Sequence, residues 1–190
     1  MKTLNAYLNE SLLDGEDALG TKMDMRAVES WIKENFKIKG TLKINKDFTV
    51  DCTGDVAVKN NNITSLTNGM FSWGEIGGEF SCSFCKNLKS LKGAPEEVGE
   101  RFNCSFCDEL KNLEGSPKYV KGPEFDCTYC QNLTSLEGAP EVVDGIFNCE
   151  GCVKLTSLKG APKKVKGYIN CTGCMKLNIT QADENKYRFY

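Results

Sequence analysis

Residues 102–120 read FNCSFCDELKNLEGSPKYV, and this frame returns along the chain. It appears as FSCSFCKNLKSLKGAPEEV at 80–98, FDCTYCQNLTSLEGAPEVV at 125–143 and FNCEGCVKLTSLKGAPKKV at 147–165, then truncated as INCTGCMKL at 169–177. Two cysteines in C-x-x-C spacing ordinarily suggest a metal or redox site. Five pairs in one register raise another reading, a structural device used repeatedly. The first cysteines, Cys82, Cys104, Cys127, Cys149 and Cys171, stand 22, 23, 22 and 22 residues apart. A fixed period of this length is the mark of a solenoid that spends one coil per repeat. The longer spacing is accounted for by Pro123, an extra residue in VKGPEF where other coils have VGERF or VDGIF.

Within a coil, Phe102 and Cys104 alternate with Arg101, Asn103 and Ser105, the period of a half-buried strand. Leu110 and Leu113 follow where the chain turns. Gly115-x-Pro117 then ends local structure and starts the return that carries Val120. One such coil cannot bury its apolar side alone, but stacked coils build a continuous core. The expected fold is a β-rich solenoid of about six coils of 22–23 residues. Its short strands would form one parallel sheet, under a helical N-terminal cap.

A divergent first rung is read in VDCTGDVAVKNNNITSLTNGMFSWGEIGG. Val50 and Cys52 take the strand positions, Asp55 stands for the second cysteine, Ile63 and Leu66 for the leucine pair, and Ile76 for the valine. Cys52 precedes Cys82 by 30 residues, so this rung carries about eight extra, as end rungs do. Ahead of it, Asp24 is read as the N-cap of a helix through Phe36, with Val28, Trp31, Ile32 and Phe36 on one face and Gly40 at its end. The tail LNITQADENKYRFY loses the second leucine and turns polar, closing the stack or trailing from it. The chain thus divides into an arm or short amphipathic helix (1–20, with Leu4, Leu8 and Leu12), a capping helix (21–41), the first rung (42–78), the solenoid (79–174) and a C-terminal cap or tail (175–190).

At 190 residues, 40% hydrophobic and 26% charged, the composition is that of one globular domain. A net charge of −2 argues against general attraction to nucleic acid or acidic lipid, and no apolar run reaches membrane-spanning length. The first residues break their apolar positions with Asn5, Asn9, Glu10 and Asp14, unlike a secretion signal. The expected location is therefore the cytoplasm, where the 11 cysteines default to free thiols. There is no histidine, which removes the commonest general base and metal ligand. The sequence is read as non-catalytic and without a cofactor.

The frame is similar to that of the leucine-rich repeats. Phe102 and Cys104 look like the two strand leucines and Cys107 like the Asn/Cys position, while L-x-x-L-x-G-x-P-x-x-V resembles short bacterial forms. The resemblance covers residues 79–174 and departs from the family in placing Cys on the strand and Phe where Leu is usual. It implies a rigid curved sheet that binds a macromolecule, most naturally a protein. More loosely, the repeats and the LNESLLDGEDAL start resemble small repeat proteins of tailed bacteriophages, which implies a bacterial or phage-infected cell and raises a structural role in a phage particle.

Three readings compete for the cysteines. Stacked strands about 4.8 Å apart could gather zinc ligands from Cys82, Cys85, Cys104, Cys107, Cys127, Cys130, Cys149, Cys152, Cys171 and Cys174. A redox C-x-x-C needs a helix N-terminus, and no helix follows these pairs. The third reading is buried structural thiols, because each cysteine stands where the frame demands a small inward residue and cysteine is commonly buried. This last reading is preferred, with no metal.

On the return side, Glu96 and Glu97, Lys118, Glu141, then Lys163 and Lys164 alternate in sign from coil to coil, a pattern that sets register and disfavours nucleic acid. On the strand side, Ser81, Asn103, Asp126, Asn148 and Asn170 form an outward polar column beside an aromatic one of Phe84, Phe106 and Tyr129. Aromatics beside small hydrogen-bonding groups have the composition of a protein-binding patch. The same aromatics could instead fold over the corner and shield the core.

Overall fold

Each full coil carries two short strands, one on either side of a shared core. The computed structural model describes residues 18–190, with side chains from Met25 onward. Helix α1 (Ala18–Asn35) leads into fourteen strands and a final short helix, α2 (Gln181–Lys186). Sheet 1 holds β1 (Phe36–Ile38), β4 (Val56–Val58), β6 (Phe80–Ser81), β8 (Phe102–Asn103), β10 (Glu124–Asp126), β12 (Ile146–Asn148) and β14 (Ile169–Asn170), in that spatial order. Sheet 2 holds β2 (Leu42–Ile44), β3 (Thr49–Cys52), β5 (Ser72–Ile76), β7 (Glu97–Val98), β9 (Tyr119–Val120), β11 (Val142–Val143) and β13 (Lys164–Val165). Within each sheet the coils pair in parallel, and only β1 and β2 run antiparallel to their neighbours. The chain is a β-solenoid of about six turns with a helical N-terminal cap.

Register follows the repeat. Phe80, Phe102, Phe125 and Phe147 lie opposite one another in sheet 1, and their rings stack at 5.7, 5.3 and 5.2 Å between centroids. In sheet 2 Ile76, Val98, Val120, Val143 and Val165 form the facing column. The cysteine and leucine columns fill the space between, with Leu88, Leu91, Leu110, Leu113, Leu133 and Leu136 fully buried. A buried leucine or phenylalanine contributes about 1.5–3 kcal/mol, so the core is one ladder of repeated burial.

The second sheet departs from the expected single one. A β-branched residue follows each Gly-x-Pro turn, and its backbone pairs with the next coil as the Phe strand does. At Gly115 (φ 89) a side chain would meet Lys92 N at 2.3 Å, which shows how closely successive turns stack. The first rung is also shifted from its expected register. Val56, not Val50, lies opposite Phe80, while Cys52 lies opposite Ile76 in sheet 2. The rung from Val56 to Phe80 is 24 residues, so it carries about two extra rather than eight. Ile63, Leu66 and Ile76 are buried as expected.

The cap differs at both ends. α1 begins before Asp24, which lies inside the helix, and stops at Asn35, so Phe36 starts β1 and Gly40 follows that strand. Met25, Val28 and Ile32 still face the core. Residues 1–17, most of the expected arm, lie outside the described residues. Phe36, Phe71 and Phe80 each meet Trp73 edge to face, and Trp31 packs at a tilt on Phe36 and Phe71, over the first coil. At the far end Thr180 closes a capping box on α2, Tyr187 is buried with its hydroxyl donating to the Pro162 carbonyl at 2.8 Å, and Phe189 pairs with Ile169. The tail thus closes the end of sheet 1.

Candidate functional site

Ten of the eleven thiols are buried and Cys171 is half-buried, and all are free. The second cysteine of a coil reaches back across the stack. Cys107 Sγ donates to the Cys82 carbonyl at 3.2 Å, Cys130 to Cys104 at 3.3 Å, Cys152 to Cys127 at 3.2 Å and Cys174 to Cys149 at 3.1 Å. These positions therefore need a small side chain that tolerates burial and offers one weak donor, which cysteine supplies. Burial pushes the Cys104 and Cys127 thiols well above their ordinary range and Cys85 to about 12. A thiol held neutral in this way is a poor nucleophile and ligand. Among the described residues no three Cys, Asp or Glu side chains converge to hold a metal ion.

The aromatic column lies at the corner between the two cysteines of a coil. Phe84, Phe106 and Tyr129 have φ of 62, 57 and 55, in the left-handed region, and Gly151 and Gly173 occupy the same corner at 68 and 76. The glycines of CEGC and CTGC thus share one backbone requirement with the three aromatics. Phe84 and Phe106 stack at 4.6 Å with 4° between planes, and Phe106 and Tyr129 at 5.0 Å with 16°. The Tyr129 ring lies over buried Gly151, where a Cβ would come within 2.5 Å of Cδ1, and its hydroxyl donates to Glu150 Oε1 at 3.0 Å. Phe84 is 49% exposed and Tyr129 39%, with Phe106 half-buried between them. The rings form a straight ridge whose faces cover one another and whose edges meet solvent.

The polar column is brought beside this ridge, but its hydrogen bonds are spent inside the coil. Asn103 Oδ1 accepts from the Ser105 amide and hydroxyl at 3.0 and 2.7 Å. Asp126, Asn148 and Asn170 each accept from the amide two residues on, at 2.9, 3.2 and 3.1 Å. Ser81 contacts Ser83 Oγ at 3.2 Å. These Asx turns hold the corner that the left-handed residue completes. Three of these side chains also bind neighbouring coils, with Asn148 Nδ2 donating to Glu124 at 2.8 Å, Asn170 Nδ2 to Glu150 at 3.1 Å, and Arg101 joining Asp126 in a close ion pair. Arg101 Nε also lies 3.1 Å from Glu124 Oε2, without hydrogen-bond geometry. Sequence reasoning missed Arg101, Glu124, Glu150 and Gly151 around the ridge. Arg101 and Glu124 at equivalent positions one coil apart, and the adjacent Glu150 and Gly151 of CEGC, were the available signal.

The return side carries the expected alternation. Glu96 lies 4.0 Å from Lys118, Glu141 3.1 Å from Lys163, and Asp144 2.9 Å from Lys166. A concavity of about 840 Å³ opens over β5 and β7, lined by Asp51, Trp73, Glu75, Glu97 and Tyr119. Its Asp51 is already bound to Asn45 and to the Glu75 amide, and Glu97 to Lys121. Among the described helices none is long and apolar enough to cross a membrane. Compared with family models, curated proteins and solved structures, the chain finds no match.

Proposed function

We propose that the chain recognises another protein, without catalysis, through the ridge of Phe84, Phe106 and Tyr129. The observation that carries this reading is the choice of residue at the left-handed corner. Two coils use glycine there, so the turn itself is satisfied by glycine. Three coils instead hold aromatic rings in a conformation that costs an L-residue about 1–2 kcal/mol. They leave two of those rings exposed. Rigid aromatics that lose little freedom on docking dominate interface energies. The polar column then serves to fix the corner rather than to meet the partner. Likeness of the repeat to leucine-rich-repeat frames supports binding by a rigid sheet, and the phage resemblance points to a partner inside a bacterial or infected cell.

Glycine is the right test because it keeps the corner. Phe84→Gly, Phe106→Gly and Tyr129→Gly are each expected to weaken capture of the partner from lysate about tenfold or more, a change of about 1.4 kcal/mol in binding per factor of ten. Lys89→Ala, an exposed change on another side of the coil, is expected to leave capture unchanged. Retained capture by all three glycine variants would remove the ridge from the site.

A further inference from the structure

The two sheets end differently at the C-terminal side. Sheet 1 is closed, since Ile169 N donates to the Arg188 carbonyl at 2.8 Å and Phe189 pairs with Ile169. The chain crosses there after Tyr187, and among the described residues no strand lies beyond β13 in sheet 2. In the coil below, Glu141 O and Val143 O accept from Lys164 N and Lys166 N at 3.1 and 3.0 Å. The equivalent acceptors one coil on, Lys163 O and Val165 O, receive no donor among the described residues. Val165 is also only half-buried, whereas Val98, Val120 and Val143 are fully covered. The open edge is an unfinished rung of the ladder, of the kind that accepts an added strand.

Charge selects the occupant. Glu96 answers Lys118 and Glu141 answers Lys163, so the column of side chains just ahead of the sheet 2 strands alternates in sign up the stack. The series stops on a basic coil, where Lys163, Lys164 and Lys166 are exposed and Lys164 has no acidic partner among the described residues. A strand that continues the ladder must therefore bring carboxylates. A second copy of the chain does not, because the opposite edge, β2, presents exposed Lys43, and two β13 edges would set lysines against lysines. We infer that the β13 edge docks an extended acidic segment of a partner protein, parallel to β13, with an inward apolar residue continuing the valine column. The surface is separate from the aromatic ridge and stands or falls independently of it.

The chain supplies its own probe. A capped peptide copying residues 138–146, GAPEVVDGI, has the sequence that already lies against β13 from below. Titrated into the isotope-labelled full chain, it is expected to bind saturably, with carbonyl shifts centred on Lys163–Val165. Half a molar salt should weaken it at least fivefold, and Lys164→Glu or Lys163→Glu at least tenfold, while a peptide copying the basic residues 160–168 should not bind. Equal binding of the two peptides would overturn the inference, as would shifts centred elsewhere or indifference to both charge reversals. Tighter retention of a 12-nucleotide oligouridylate or of phosphatidylserine vesicles on the same lysines would also overturn it, in favour of a polyanion site.

Discussion

Replacement of Phe84 or Phe106 with glycine is expected to leave a more stable protein than replacement with alanine, the reverse of the order at ordinary exposed positions. Both residues have φ near 60, where an L-side chain costs about 1–2 kcal/mol and glycine is unstrained. Either substitution removes the stacked pair at 4.6 Å, a loss of about 0.5–1.5 kcal/mol together with the ring's buried area, so these terms cancel in the comparison. What differs is the strain, which alanine keeps and glycine releases, less the 0.4–1 kcal/mol by which glycine favours the unfolded chain. The balance is about 0.5–1 kcal/mol in favour of glycine, or roughly 1–4 °C in melting temperature for a chain of this size. Lys86, exposed and not in the left-handed region, is the control, and there alanine should be the more stable. Urea midpoints of the six variants decide the matter. Alanine equal to or better than glycine at both phenylalanines would mean that the corner is not left-handed and that its aromatics were not chosen against strain.

Gly151→Ala should cost about 2–3 kcal/mol, since it adds left-handed strain and sets a Cβ 2.5 Å from the Tyr129 ring; a loss of tyrosine fluorescence anisotropy alongside the lowered midpoint would report the displaced ring. Leu110→Asp should cost several kcal/mol by burying an unpaired charge between two neighbouring coils, while Lys111→Ala, exposed, should stay within about 0.5 kcal/mol; equal shifts in melting temperature would refute the register. Cys107→Ala should destabilise more than Cys107→Ser, because serine restores a donor to the Cys82 carbonyl, and the reverse order in urea would refute a donor role. Cys85 is raised by burial from 9.0 to about 12, so the folded state holds its proton longer than the unfolded chain. Its contribution is fully present below pH 9 and lost as pH rises from there towards 12; a Cys85→Ala variant with the same alkaline decline as the parent would count against it.

The repeat was legible because period, core and register are one fact seen three times. Phe, Cys, Leu and Val columns recur at fixed offsets, and the same offsets set which residues stack. Sheet 2 was not legible as a sheet, since a two-residue strand such as Tyr119–Val120 shows no alternation and only its pairing defines it. The first rung misled for a related reason. Val50-x-Cys52 and Val56-x-Val58 both alternate, and the cysteine drew the alignment, although the apolar Val56 was the true match to Phe80. At the candidate site, position was readable and conformation was not. Phe84, Phe106, Tyr129, Gly151 and Gly173 occupy one offset, and the two glycines there were the signal of a left-handed corner.

That corner also explains why the polar and aromatic columns divide their roles. Asn103, Asp126, Asn148 and Asn170 are bound to amides two residues ahead, which is what lets the residue after that amide, three positions on, enter the left-handed region. Asp126, Asn148 and Asn170 also spend further polar atoms on neighbouring coils, which leaves less for a partner to bind. The aromatic rings have no such commitment, and their edges are the part of the coil that the fold leaves over. Tyr129 ends the series because its hydroxyl is tied to Glu150 and its ring rests on Gly151, after which the corner returns to glycine. The ridge is therefore three coils long by construction, and a partner that reads it meets one straight apolar edge rather than the whole face of the sheet.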